Sequence, residues 1–223
     1  GAGNSGSGER DITIDANLPG LRVDTVAGDD VINSIEHGQN LIITGSSDGL
    51  TAGTALTVTV NGKTYPATVL ADGTWSAAIP STDVSAWPEG TVKISVTGDS
   101  AAGNPITISH DVTVDLATVA ISINALATDD VINAAEVASG QTLSGKVSGA
   151  ASGDTVTIGI GGNTYTATVQ DDLSWSVNVA SDVLTAIGNG DLTVTASVTN
   201  GHGNTGTGER DITIDASLPG LRV

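Results

Sequence analysis

The feature that most restricts the fold of this chain is a match to itself at an offset of 100 residues. "DDVINSIE" at 29–36 returns as "DDVINAAE" at 129–136, and "DITID" at 11–15 becomes "DVTVD" at 111–115 and "DITID" again at 211–215. Tyr65 and Trp75 reappear as Tyr165 and Trp175. A period of this length is that of a whole compact domain, since solenoid repeats run to roughly 20–50 residues. The chain is therefore read as two complete repeats, 16–115 and 116–215. On this reading 1–15 is the last strand of a preceding repeat and 216–223 the start of a following one. Residues 1–23 and 201–223 differ only at Ala2/His202, Ser5/Thr205, Ser7/Thr207 and Asn17/Ser217, whereas 101–123 match either copy less well. The array is expected to alternate, with a superperiod of two domains.

Within each repeat the pattern is that of strands. "ALTVTVNG", "TYPATVLADG", "TWSAAIP", "TVKISVTG" and "ITISHDVTVD" alternate apolar with small polar residues and are rich in Val, Ile and Thr. Asn61-Gly62 and Asp72-Gly73 suit tight hairpin turns because these residues tolerate positive φ, and Gly161-Gly162-Asn163 and Asp171-Asp172 stand in their places in the second repeat. With further strands near 20–27 and 40–47, the count is seven per repeat. The expected fold is all-β: tandem antiparallel β-sandwiches of immunoglobulin-like architecture. The core must be assembled from Val, Ile, Leu and Ala, because the chain has no Phe and no Met and only 2% aromatic residues. Such a core suits thin sheets better than a deep ligand cavity.

Charge then restricts the partners. The formal net charge is -18, from 25 acidic against 7 basic residues, which argues against nucleic acid or an anionic membrane surface and in favour of cations. No apolar run approaches the ~20 residues of a membrane span, so membrane insertion is not expected. With no cysteine, disulfide staples, thiolate zinc sites and cysteine nucleophiles are all excluded.

The acidic motif invites a specific reading. In an immunoglobulin-like sandwich the first and last strands run the same way, so the corner after the first and the exit of the last lie at one pole. This would gather Asp29, Asp30, Glu36 and Asp115, and carboxylates at close range repel unless a cation neutralises them. Calcium suits such a set, accepting six to eight oxygens in flexible geometry, where magnesium demands a tight octahedron. Asp129, Asp130 and Glu136 repeat the motif, and Asp15 and Asp215 repeat the exit position. The loop "TNGHGN", with Asn200 and Asn204, could add amide or backbone oxygens. The plainer alternative stays open: Asp and Asn are frequent at turns because their side chains bond the local backbone.

"DTVAGDDVINSIEHGQNLIITGSS", "VTVNGKTYPATVLADGTWSAAIPSTDVSAWPEGTVKISVTGDSAAGN" and the closing "DVTVD" resemble the immunoglobulin-like repeats of giant bacterial biofilm adhesins. The order DDVIN, NGKTY, DGTW, AAGN carries the resemblance, which covers both repeats. It implies export by type I secretion, an extracellular location at the bacterial cell surface, and calcium bound by the repeats. Asp99, close before "AAGN", joins the candidate ligands on this ground. The expected role is an extender stalk for a distal adhesive region in cell adhesion and biofilm formation, its partners being calcium and neighbouring repeats.

Other chemistry finds little support. His37, His110 and His202 stand singly, without zinc-site spacing, and read as surface or turn residues. No Ser lies in a nucleophile elbow, and "GIGG" at 159–162 is a turn between strands, so no enzyme is expected. Trp75 and Trp175 read as core. Trp87, matched by Ile187, is the candidate for an exposed contact and carries the alternative function, a carbohydrate-binding module.

Overall fold

The computed structural model describes residues 8–11 and 19–217. Most of 1–15, the expected last strand of a preceding repeat, including Asp15, and most of 216–223 lie outside the described residues. The chain divides into two compact units, one of Gly1–Val31 and Glu36–Val114, the other of Ile32–Ile35 and Asp115–Val223.

The first repeat contains β1 (Gly20–Val23), β2 (Val31–Asn33), β3 (Leu41–Asp48), β4 (Ala55–Val60), β5 (Lys63–Thr68), β6 (Thr74–Ile79), β7 (Gly90–Asp99) and β8 (Pro105–Asp115). The second contains β9 (Ala120–Ile121), β10 (Val131–Asn133), β11 (Gln141–Ser148), β12 (Thr155–Ile160), β13 (Asn163–Thr168), β14 (Ser174–Val179), β15 (Gly190–Thr199) and β16 (Thr205–Asp215). Each repeat builds a three-stranded sheet, ordered β1-β3-β6 or β9-β11-β14, and a five-stranded sheet, ordered β2-β8-β7-β4-β5 or β10-β16-β15-β12-β13. These are immunoglobulin-like β-sandwiches, as the alternation predicts.

Eight strands rather than seven arise because the first strand is split. β9 pairs antiparallel with β11, and after a tight loop β10 pairs parallel with β16, with Val131 opposite Thr213 and Asn133 opposite Asp215. The chain thus changes sheets at the acidic motif. Between the halves, Ala127, Thr128 and Asp130 hold φ of 50°, 75° and 66°; in the first repeat Ala27, Gly28 and Asp30 do the same at 55°, 100° and 62°. Left-handed backbone is costly for residues with a Cβ, so the loop needs something to hold it.

The hairpin turns follow their sequences. Asn61 and Gly62 both take positive φ, as do Gly161 and Gly162, matching the twist of the flanking strands. In the second repeat's later turn the left-handed position falls on Leu173, not on Asp171 or Asp172.

The second core is aliphatic around one tryptophan, while the first buries both Trp75 and Trp87. In the second unit Ile132, Leu143, Ile158, Ile160, Val194 and Ile214 pack around Trp175, which is 1% exposed. Trp175 lies opposite Gly145 in the β11–β14 register, and Trp75 opposite Gly45 in β3–β6. A side chain at either glycine would collide with the ring and with backbone, so the glycine makes the space that the indole fills.

Candidate metal centre

The predicted ligands fall into groups once their partners are known. Asp29 and Asp129 are exposed, and each accepts a hydrogen bond at Oδ1 from the backbone N–H two residues on, Val31 at 3.0 Å and Val131 at 3.1 Å. Asp215 does the same with Ser217 N–H at 3.1 Å. These short local turns fix the carboxylates in place without neutralising them, and the first aspartate of each motif keeps its second oxygen available.

Asp30 and Asp130 differ. Asp130 Oδ1 accepts from Leu126 N–H at 3.0 Å and from Arg210 Nε at 2.6 Å, while Oδ2 accepts from Arg210 Nη2 at 2.5 Å. Arg210 Nη1 also donates to Ile123 O at 3.0 Å. The guanidinium and the Leu126 N–H hold this carboxyl below the usual range, and the carboxylate raises the arginine in return. In the first repeat Val26 N–H donates to Asp30 Oδ1 at 2.8 Å, and His110 Nε2 lies 2.6 Å from the same oxygen. Burial pushes the Asp30 carboxyl up, but the Val26 and His110 hydrogen bonds outweigh it and leave it lowered.

The two glutamates sit on short helical turns. Glu136 is in the first turn of α1 (Ala134–Ser139), where its Oε2 accepts Asn133 N–H at 2.9 Å while Asn133 Oδ1 accepts Ala135 and Glu136 N–H, a capping box. Glu36 opens a 3-10 turn, Glu36–Gly38. Asp99 ends β7, paired with Pro105 across the turn before β8.

Asp115 belongs to a second polar cluster, inside the second unit. Its Oδ1 accepts Ala117 N–H at 2.8 Å, and Oδ2 pairs with His202 Nδ1. These hydrogen bonds, from Ala117 first and then from His202, hold its carboxyl below the usual range. Asn204, 1% exposed, donates from Nδ2 to Asp115 O at 3.1 Å and accepts Ser34 N–H at 2.9 Å, while its own N–H reaches Asn200 Oδ1 at 3.0 Å. The loop that sequence singled out for Asn200 and Asn204 thus makes direct hydrogen bonds to protein groups.

Among the described residues, no three His, Asp or Glu side chains are assembled into a group that could hold a metal ion. Judged by donor chemistry, Asp29, Asp129 and Asp215 fit calcium, since each offers a carboxylate oxygen beyond its local turn. Asp130 and Asp115 do not fit, because both oxygens of each are taken by a basic side chain or a backbone donor; in Asp30 and Glu136 one oxygen, Oδ1 and Oε2, is so taken.

Sequence reasoning passed over Arg210, and read His110 and His202 as plain surface or turn residues. The available signal was the repeat: Arg10, His110 and Arg210 keep the 100-residue step in a chain with only 7 Lys and Arg. The aromatic candidate also resolves. Trp87 is 3% exposed and its carbonyl oxygen lies 3.0 Å from His37 Nε2, so its ring is not presented to a sugar.

No family model matches the chain, and neither does any curated protein sequence. Solved structures do match. A Ca2+-stabilised adhesin that helps an Antarctic bacterium reach out and bind ice aligns with 92% of the chain at 34% identity, with a TM-score of 0.58. A structure from a 1.5-MDa bacterial ice-binding adhesin, concerned with host cell surface retention, aligns with 90% at 34% identity and a TM-score of 0.52. The chain spans 51% and 65% of these two structures. Fibronectin(III)-like modules of Clostridium thermocellum CbhA, at 10% identity and a TM-score of 0.50, share the fold alone; 89% of this chain aligns with 94% of theirs.

Proposed function

The chain belongs to the immunoglobulin-like repeats of giant bacterial adhesins, and from that premise we propose that it is an extender segment, a stalk that carries a distal adhesive region away from the cell surface. The observation that carries this reading is the alignment of nine tenths of the chain, both repeats included, with a calcium-stabilised adhesin at 34% identity. We place the chain outside the cell, exported by type I secretion and acting in adhesion and biofilm formation, with no enzymatic role. Among the described residues no helix is long and apolar enough to cross a membrane.

Calcium is proposed to stiffen the stalk at the junctions between repeats. The net charge of -18 supports this, as do the exposed first aspartates of the repeated motif. Asp29 and Asp129, with Asp215 at the exit of β16 and Glu36 and Asp99 nearby in sequence, are the candidate ligands; Asp115 is already engaged by Ala117 N–H and His202, and Asp15 lies outside the described residues. When bound, calcium would supply charge neutralisation and several oxygen-coordination positions. The protein's own part is to hold Asp29, Asp129 and Asp215 each in a fixed local turn, lowering the entropy lost on binding.

Stiffness matters for reach. The longest strands, of 10 and 11 residues, extend roughly 33–36 Å at about 3.3 Å per residue. Reach grows linearly with the number of repeats in a stiff rod, but only as a square root in a flexible chain. Calcium titration read by small-angle scattering tests the proposal, a lengthening of the two-repeat particle being the expected result. With Trp87 buried, nothing in the structure favours the carbohydrate-binding alternative.

A further inference from the structure

We infer that the second aspartate of each acidic motif is a metal-independent clasp: its partner is the chain's own Arg210 or His110, and its task is to close the left-handed loop where the strand changes sheets. This does not depend on the proposed stalk function.

Three observations in the second unit converge. The loop from Leu126 to Asp130 contains three non-glycine residues with positive φ, one of them the β-branched Thr128, and such backbone persists only where its surroundings impose it. Asp130 ties both ends of that loop, its carboxylate accepting Leu126 N–H at 3.0 Å and its own N–H donating to Leu126 O at 2.8 Å. Arg210 then fastens the loop to β16 by two hydrogen bonds to the carboxylate and one to Ile123 O. Asp130 O accepts Thr213 N–H at 2.8 Å, which starts the β10–β16 pairing. A calcium ion on Asp130 would have to displace the planar, bidentate guanidinium, which suits a carboxylate geometrically.

The first unit repeats the device with a smaller partner. Val26 N–H donates to Asp30 Oδ1 at 2.8 Å, Asp30 N–H to Val26 O at 2.8 Å and Thr113 N–H to Asp30 O at 2.9 Å, with His110 in place of Arg210. One histidine nitrogen replaces two arginine nitrogens on the carboxylate. The adjacent aspartates therefore have separate roles: Asp29 and Asp129 face solvent and remain open to a cation, while Asp30 and Asp130 hold the loop that carries them.

The test uses the two-repeat chain and the variants Arg210→Met, Asp130→Asn and His110→Arg. Melting is followed in excess chelator and in excess calcium, and calcium stoichiometry by isothermal titration calorimetry. Arg210→Met and Asp130→Asn should each lower the melting temperature of one repeat by several degrees in chelator. His110→Arg, a gain-of-contact variant that does not risk unfolding, should raise the other repeat's melting temperature in chelator. Asp130→Asn should leave the number of calcium ions bound unchanged. Loss of one calcium equivalent in Asp130→Asn, or melting in chelator indifferent to both Arg210→Met and Asp130→Asn, would overturn the clasp. A parent chain that binds no calcium would count against the proposed stiffening, and the chelator arm would still decide the clasp.

Discussion

Replacing Gly145 by alanine probes the packing that defines each sandwich. A Cβ built at Gly145 would stand 1.8 Å from Ser122 O and 2.7 Å from Trp175 Nε1. Trp175 is 1% exposed and buried among aliphatic side chains, so it cannot swing aside without opening a void. The segment around Ser122 must move instead, and it is held to β11 by Ser122 N–H to Lys146 O and Asn124 N–H to Ser144 O, both 2.8 Å. Losing these two bonds costs about 0.5–1.5 kcal/mol each, and overpacking adds about 1–3 kcal/mol. Relief of glycine's backbone entropy returns about 0.5–1 kcal/mol. The net expectation is a loss of about 1–5 kcal/mol, centred near 3, a large part of the 5–15 kcal/mol typical of a domain. Urea unfolding of the two-repeat chain, followed by tryptophan fluorescence, should resolve an early transition for the altered repeat. Gly45→Ala should shift the other repeat, since its Cβ would meet Arg22 O at 2.0 Å and Trp75 Cζ2 at 2.3 Å. Gly38→Ala, with nothing within 4 Å, is the control. If Gly145→Ala unfolds with the parent, the contact between glycine and indole does not set the strand pairing, and the reasoning fails.

Two further outcomes follow from the polar groups. Asn204→Ala removes the amide partner of two part-buried hydrogen bonds, to Ser34 N–H and Asp115 O, so a loss of about 1 kcal/mol is expected in the second unit's unfolding. Stability equal to the parent would show that water replaces the amide at no cost. The pH profile should fall on both sides. Asp30, Asp115 and Asp130 have lowered folded values, so their contribution is full above about pH 4, the ordinary range, and is lost as pH falls through the folded values. Tyr65 is pushed up to about 12, by burial first and then by its hydrogen bond to Asp83, so its contribution is full below about pH 10 and lost as pH rises from there to 12. Tyr65→Phe should remove the alkaline part of the slope in melting temperature, and an unchanged alkaline slope would contradict that assignment.

Much of the fold is legible in the sequence because the repeat and the two-residue alternation both reflect backbone geometry directly. The Asn61-Gly62 turn, the core placement of Trp75 and Trp175 and the sandwich class follow from local chemistry. The split first strand is not legible. β9 has two residues and β10 three, too short for alternation to show, and the change of sheets depends on left-handed backbone at Ala127 and Thr128, residues with no preference for it. The site was only half legible for a related reason. The motif marks both aspartates alike, while their division of labour depends on partners 80 residues away, as with Asp130 and Arg210. Acidic spacing shows where negative charge gathers, but not whether a side chain of the same protein already neutralises it.

The proposed stiffening of the stalk by calcium is tested most directly by small-angle scattering of the two-repeat chain across a calcium titration, alongside its melting temperature. The account predicts that the maximum dimension rises and its distribution narrows as calcium saturates. The melting temperature should rise with it, by the equivalent of about 2.7 kcal/mol at a hundredfold excess over Kd. Asp29→Asn with Asp129→Asn should abolish the lengthening while strand content by circular dichroism stays unchanged. A maximum dimension that is the same in chelator and in saturating calcium would contradict the account.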